Sequence, residues 1–497
     1  QQEVAQPQLP AGADHQVWVR DAGGVQVGGK EPLLQLLRLP LSGCAVGPNY
    51  TRPSAVSQMP AQFKEAPAGW KSATPNDAAL KGDWWTMYGD PVLNSLESQV
   101  EINNQNVAQY AQKYLQAVAL VAQSDAALYP SITAGASGSR GRTAGVTKNT
   151  ISFQGNFSWE PDLWGKLRRA RTADEASAEA SAADLANARL SAQASLAEDY
   201  FTLRVLDRRI AVYGETIKVY QKNVETLRNQ YESGQIAKSD LTSAEQSLYS
   251  AEASRDALKS SRAQYEHAIA VLIGKAPAEF TLLPQDTALP SVPAIPAAIP
   301  STLLERRPDI ASAERAVAAA NEKIGIAIAG YYPDITLSGS GGWSGGHFSQ
   351  LISADHLLWS LGASAAQTIF DAGSTRAKVA QARAAYEQSV TAYRQTVLEA
   401  FQTTEDALSS QASLASQVAN TRKSLSAATE TASILMNRYK AGMIDYTNVS
   451  SSEATRLSSE QSLLSLQSQE LVNSVELIKA LGGGWKGLDP SHKTVNP

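Results

Sequence analysis

Apolar residues recur every seven positions along one stretch of the chain, at Leu196, Leu203, Ile210, Ile217, Val224 and Tyr231. A second row falls at Leu206, Tyr213, Tyr220 and Leu227. The two rows alternate in steps of three and four, the spacing of a coiled-coil seam. No proline interrupts the chain between Trp164 and Ser239. The pattern predicts one helix over 165–232, roughly 100 Å long at about 1.5 Å per residue. A compact domain cannot bury such a helix, so it must lie beside other long helices in an elongated assembly.

Upstream, a helix is predicted from Leu93 to about Tyr129, with Pro91 suited to its first turn. It stops at Tyr129-Pro130, and the period then changes to two. Strands are predicted over 131–139 and 151–159, separated by a polar loop. Ile132, Ala134 and Ala136 share one face of the first. In the second, Ile151, Phe153, Phe157 and Trp159 face one way, and Ser152, Gln154, Asn156 and Ser158 the other. Strands of about nine residues with one apolar and one polar side are what a membrane barrel with a wet lumen requires. A soluble hairpin would show the same alternation, but no nearby amphipathic helix is spare to cover it.

A helix over 240–273, with Asp240 as its expected cap, completes a first repeat spanning 91–274. Prolines 277, 284, 290, 293, 296 and 300 mark a linker over 275–301. The plan then recurs within 302–482: a helix from Leu303 to about Gly330, strands over 334–343 and 359–370, a long helix over 374–440 and a last helix over 446–481. Gly165 and Gly373, Tyr231 and Tyr439, Gly234 and Gly442, Glu245 and Glu453, and Gly274 and Gly482 all stand 208 positions apart. A single offset held over that span marks a tandem duplication.

In each half the two short helices together match the long one in length. The chain therefore starts at mid-height, climbs a short helix, crosses a hairpin, descends the full length, turns at Gly234 or Gly442 and climbs back. Strands lie at one pole, turns at the other, linkers and termini at the waist. A barrel needs about eight strands or more, and open edges do not survive in lipid. One protomer has four. The fold predicted is a mixed α and β membrane protein: a trimeric 12-stranded β-barrel, four strands per protomer, continuous with a long α-helical barrel.

Composition narrows the function. A net charge of -5 without a dense basic cluster argues against nucleic acid as a partner. The nearest cluster, Lys166, Arg168, Arg169 and Arg171, opens the long helix against its dipole, and a solvated or membrane-surface face is expected there. The single cysteine allows no intrachain disulfide. Residues 1–43 read as a leader-like segment in which Lys30 precedes an apolar run from Pro32 to Leu41, broken by Arg38. The run ends in Leu41-Ser42-Gly43-Cys44, the pattern of a bacterial lipoprotein cleavage site. Acylation of Cys44 is expected, with a buried or free thiol as the alternative. Residues 44–90 then read as an acylated tether and waist segment, in which Trp84 and Trp85 pack on a neighbouring helix. Residues 483–497 form a tail.

No catalytic, metal or cofactor chemistry is expected. Gly342-Trp343-Ser344-Gly345-Gly346 spells a nucleophile elbow but lies at a strand end running into a loop. The five histidines lack metal spacing, and no phosphate loop or dinucleotide fingerprint appears in its required context.

Several stretches together resemble the TolC-like outer-membrane efflux proteins, in particular the NodT-type lipoprotein branch. They are Cys44-Ala45-Val46-Gly47-Pro48-Asn49-Tyr50, Trp84-Trp85 with Asp90-Pro91, Trp159-Glu160 with Asp162-Leu163-Trp164-Gly165, Arg306-Arg307-Pro308-Asp309-Ile310, Phe370-Asp371-Ala372-Gly373 and Leu481-Gly482-Gly483-Gly484-Trp485. The resemblance implies a homotrimeric, passive exit duct for drugs or metal ions, set in outer-membrane lipid, anchored by palmitate at Cys44 and reaching into the periplasm. It implies two partners, a periplasmic adaptor (membrane fusion protein) and an inner-membrane RND-type pump that supplies the energy. It places adaptor docking at the hairpin tips, Tyr231 with Gly234 and Tyr439 with Gly442, and a periplasmic gate at Asp445 and Tyr446. Three inward copies of Asp445 would form an acidic ring that binds cations; a solvated acid capping the last helix is the alternative. Ser451 stands where relatives often carry aspartate. A type I protein-secretion duct is the close alternative. A structural trimeric coiled-coil surface protein would lack the folded-back repeat.

Overall fold

The computed structural model describes residues 45–485, except 57, 59, 61, 66–81, 286–288, 294 and 296–305. The chain divides at Gly43, and the described residues all belong to the second unit, Cys44–Pro497. The leader-like segment and Cys44 lie outside the described residues.

The helices are α1 (Pro91–Asn103), α2 (Gln105–Ala126), α3 (Lys166–Glu232), α4 (Lys238–Leu272), α5 (Pro308–Ala329), α6 (Ser374–Lys440) and α7 (Tyr446–Ala480). The strands are β1 (Ser131–Thr143), β2 (Val146–Trp159), β3 (Asp334–Gly345) and β4 (Leu357–Ala366). The duplication holds in three dimensions: α3 and α6 each have 67 residues, and α4 and α7 each have 35.

The single helix expected over 93–129 is two. At Asn104 the backbone leaves the helical region (φ -66°, ψ 118°). The Asn104 side chain accepts from Asn106 N and Val107 N, each at 3.0 Å, and so caps α2. Its amide also donates to the Leu272 carbonyl at 2.8 Å, joining the start of α2 to the end of α4. The second repeat makes the same joint: Arg307 Nη1 donates to the Ala480 carbonyl at 3.1 Å, joining α5 to α7. Close approach at both joints needs glycine. A Cβ on Gly274 would collide with the Asn103 carbonyl, and one on Gly482 with the Arg306 carbonyl. The short helices thus stack end to end into columns as long as α3 and α6.

Four columns result. The α2/α4 column packs on α3, α3 packs on the α5/α7 column, and that column packs on α6. The sheet repeats this order as β1-β2-β3-β4, antiparallel throughout. The α2/α4 column with β1 forms one open edge, and α6 with β4 the other.

The seam expected along α3 is buried at Leu196, Leu203, Leu206, Ile217, Tyr220, Val224 and Leu227. It fades at the far end, where Tyr231 is 40% exposed. Beneath the sheet most buried positions of α3 are alanines, among them Ala173, Ala176, Ala183 and Ala194; small side chains let neighbouring columns approach closely. At the waist, Trp84, Trp85 and Tyr88 pack with Tyr200, Phe201, Val475 and Ile478. Asp90 caps α1 through Val92 N at 2.8 Å and accepts from the Tyr200 hydroxyl at 2.6 Å.

Strand bounds differ from those expected. The polar stretch after Ser139 continues the ladder, with Arg140 opposite Asn149 and Arg142 opposite Thr147. The connection is the two-residue turn Ala144-Gly145, both at positive φ (52° and 82°). The fourth strand starts two residues earlier than expected and stops at Ala366.

Candidate functional site: a two-faced wall and paired hairpin tips

Register settles which side chains share a face. Ile132 is opposite Phe157, Phe157 opposite Gly339, and Gly339 opposite Leu361. The same face carries Ile151, Phe153, Ile335, Leu337, Trp343, Leu357 and Trp359, and large residues sit beside glycines so that the surface closes. Phe153 and Trp343 stack at 6.4 Å. The opposite face is hydroxyl and amide: Ser137 and Ser152 are bonded at 2.7 Å, Ser340 and Ser360 at 2.9 Å, with Gln154 and Asn156 between. A face so largely apolar requires lipid, and one so largely polar requires water.

Aromatic residues ring the base of this wall. Trp159 Nε1 donates to the Leu128 carbonyl at 3.0 Å and Trp164 Nε1 to the Pro333 carbonyl at 2.8 Å. Trp164 stacks on Tyr332 at 4.8 Å, and Tyr129 and Tyr331 are exposed beside them. Such a belt marks a membrane–water boundary.

Below it stand the four cations at the start of α3, expected on a solvated or membrane-surface face; of the four Arg169 is buried, while Lys166, Arg168 and Arg171 are partly exposed just under the belt. Each meets a carboxylate, and those of Lys166, Arg169 and Arg171 include one from a distant segment. Lys166 pairs with Asp334 at 3.1 Å, Arg168 with Asp162 at 3.0 Å, and Arg171 with Asp125 at 2.9 Å. Arg169 is buried and pairs with Glu322 at 2.6 Å. Asp162 also accepts from Leu167 N and Arg168 N, which caps a helix whose first residue follows a glycine. Arg169 further donates to the carbonyls of Pro48 and Gly47 at 3.1 and 3.2 Å. Val46 N donates to the Trp164 carbonyl at 3.0 Å, and Tyr50 bonds to Glu314. The segment just after Cys44, expected as an extended tether at the waist, is instead held at the foot of the wall over residues 46–50.

At the other pole the two hairpin tips pack together. Tyr220, Val224, Leu227, Leu241 and Leu248 of the first hairpin form one cluster with Tyr446 and Val449 of the second. Both tips turn through the same bonds. Gly234 N donates to the Tyr231 carbonyl and Gly442 N to the Tyr439 carbonyl, at φ of 73° and 72°. Tyr439 and Tyr446 meet edge to face at 5.4 Å. Tyr446 is buried, and its hydroxyl accepts from Asn223 at 3.2 Å. Burial raises the Tyr446 phenol pKa; burial first and the nearby Asp240 carboxylate second raise that of Tyr439. Both stay protonated at neutral pH.

Asp445 occupies the N-cap position of α7, exposed and with no side-chain capping bond. Asp240, the expected cap of α4, instead sits in its first turn behind Ala237, where a carboxylate still complements the helix dipole. Sequence reasoning missed Asn223 and Gln230, which bridge the hairpins through Tyr446 and Tyr439. Neither lies on the heptad rows that drew attention to this stretch.

A cavity of about 580 Å³ lies at the joint of α5 and α7, lined by Glu198, Arg307, Asp309, Asp406, Glu476 and Lys479 among others. Burial first and the Glu476 charge second push the Glu198 carboxyl up to about 7. Among the described residues, no cluster of His, Cys, Asp and Glu could hold a metal ion. None of the helices described is long and apolar enough to cross a membrane.

A lipid-ready sheet with two open edges, carried on helical columns with matching open edges, defines one protomer of a trimeric outer-membrane channel. The chain belongs to the outer membrane efflux protein family, whose pattern matches residues 96–275 and 299–483. It is 29% identical over 459 residues to the cation efflux system protein CusC of Escherichia coli O6:H1, covering 90% of this chain and 97% of that one. It is 31% identical over 359 residues to nodulation protein T of Rhizobium leguminosarum bv. trifolii, covering 71% of this chain and 74% of that one. The solved outer-membrane channel OprN superposes with a TM-score of 0.82 at 28% identity, over 89% of this chain and all of OprN.

Proposed function

We propose that three copies of this chain form the exit duct of a tripartite efflux pump, passing small molecules, drugs or metal ions, from periplasm to exterior. The matched order of open edges in sheet and columns carries this reading. β1 and β4 each lack a partner on one side, and an unpaired edge in lipid costs several kcal/mol per orphaned backbone group. Closing the sheet with neighbouring copies also closes the helical layer, which makes one continuous tube.

The chain supplies a path and no chemistry, so an inner-membrane RND-type pump drives transport and a periplasmic adaptor grips the tips around Tyr231, Gly234, Tyr439 and Gly442. Asp445 and Tyr446 form the gate: Tyr446 locks the second hairpin to the first, and Asp445 sets the charge at the entrance. Cys44 carries the lipid. The clamp on residues 46–50 supports that assignment, because it fixes Val46, two positions after Cys44 in sequence, against the Trp164 carbonyl at the wall's aromatic belt. A relative named for cation efflux supports small cargo over secreted protein.

Deleting the gene and profiling sensitivity to drugs and metal ions tests the reading. Hypersensitivity to small toxic compounds, restored by the intact gene, is expected. Unchanged sensitivity with loss of a secreted protein would move the assignment to protein secretion.

A further inference from the structure

The outer end of the wall carries positive charge that the channel does not use. Along β1 one face runs Ile132, Ala134, Ala136, Gly138 and then Arg140 and Arg142, with the ladder unbroken through Thr143. The arginines thus lie on the lipid-facing side. Asn149 and Thr147 stand opposite them on β2. From Ser139 to Thr150 the ribbon holds three cations, Arg140, Arg142 and Lys148, and no carboxylate. Neither arginine side chain has a hydrogen-bond or ion-pair partner among the described residues, and both are exposed.

Height decides what these guanidinium groups meet. Eight residues separate Ile132 from Arg140, about 27 Å along a strand at about 3.4 Å per residue. With a tilt of about 40° that is about 21 Å along the membrane normal, against an apolar band about 25 Å tall. Arg140 reaches the outer border of the hydrocarbon, and Arg142 stands just beyond it. That is the level of lipid phosphate groups, and the planar fork of arginine donors suits phosphate oxygens.

Resting on the reading of this sheet as a barrel wall, we infer that Arg140 and Arg142, with Asn149 and Thr147 beside them, bind the phosphate groups of a phosphorylated glycolipid in the outer leaflet. Each protomer carries one such site, so a closed barrel presents three around its rim. Lys148 points to the opposite face of the ribbon and takes no part.

Native mass spectrometry of the full-length, detergent-purified channel tests this, with lipid A carrying two phosphates as probe and its dephosphorylated form as control. The intact channel should retain the phosphorylated lipid at least fivefold better than the dephosphorylated one, with excess inorganic phosphate displacing little of it. R140Q/R142Q should lose that preference, R140K/R142K should keep part of it, and K148Q should behave as the intact protein. Equal retention of the two lipids by the intact channel, or an unchanged preference in R140Q/R142Q, would overturn the site. So would loss of the trimer in R140Q/R142Q, which would mean that the arginines pair across the protomer seam. Failure of the wall itself reads differently: the intact protein would then hold neither lipid and would not insert into vesicles.

Discussion

Arg169 on α3 and Glu322 on α5 meet at 2.6 Å with side chains only 6% and 10% exposed. The pair ties the first repeat to the second directly below the sheet. The same guanidinium holds the carbonyls of Gly47 and Pro48, so one cation fastens both repeats and the segment after Cys44. Removing one member of a buried pair strands the other charge and typically costs about 3–5 kcal/mol. Arg169→Ala should therefore lower chemical stability by about that much, whereas the double change Arg169→Met with Glu322→Leu should recover most of it. A single Arg169→Ala variant as stable as the parent would show that the pair is not a fastening.

The two faces of the sheet make opposite demands on a charge. Phe153→Arg puts a cation on the apolar side about halfway up the wall, where about 2–4 kcal/mol is the usual cost near mid-membrane. Gln154→Arg, one residue away, points to the polar side and should be tolerated. Folding yield into lipid vesicles should drop for the first and hold for the second. The reverse order would turn the wall inside out.

Glu97 is completely buried on α1, and neither carboxyl oxygen meets a donor among the described residues. Burial pushes its pKa from the ordinary 4.5 up to about 9. Below pH 4.5 both folded and unfolded chains hold the proton, and the group is neutral to stability. Between the two values only the unfolded chain releases it, so stability falls as pH rises and levels off above about 9. Glu97→Gln should raise the thermal midpoint at pH 8 relative to the parent and leave it nearly unchanged at pH 4.5. A gap between the two proteins that does not vary with pH would refute the assignment.

At the tips, the exposed Asp445 carboxylate stands beside the buried Tyr446. If three copies line the entrance, Asp445→Ala should raise single-channel conductance in planar bilayers and weaken cation preference. Unchanged conductance would remove Asp445 from the constriction.

The long helices were legible because glycines punctuate them: the span expected for the second, 374–440, matches α6 at both ends. Although the fourth strand was expected two residues late and ran four too far, most of the barrel wall was legible where one face is apolar. It was illegible from Arg140 to Thr150, where both faces are polar and alternation carries no signal, although the backbone ladder continues. The break at Asn104 was hidden for another reason. The apolar spacing runs on through it, and the Leu272 carbonyl that fixes it lies far away in sequence. The partners of Lys166, Arg169 and Arg171 were hidden for the same reason, since Asp334, Glu322 and Asp125 come from distant segments that meet only after folding. At the tips the turn glycines stood out, whereas the contact of Asn223 with Tyr446 depends on how two hairpins lean together.

The number of chains in the purified, folded channel tests the central claim most directly. Mass measurement in detergent or lipid nanodiscs should give three chains per particle, since three sets of four strands close the wall. A folded, membrane-inserted particle containing a single chain would contradict the account.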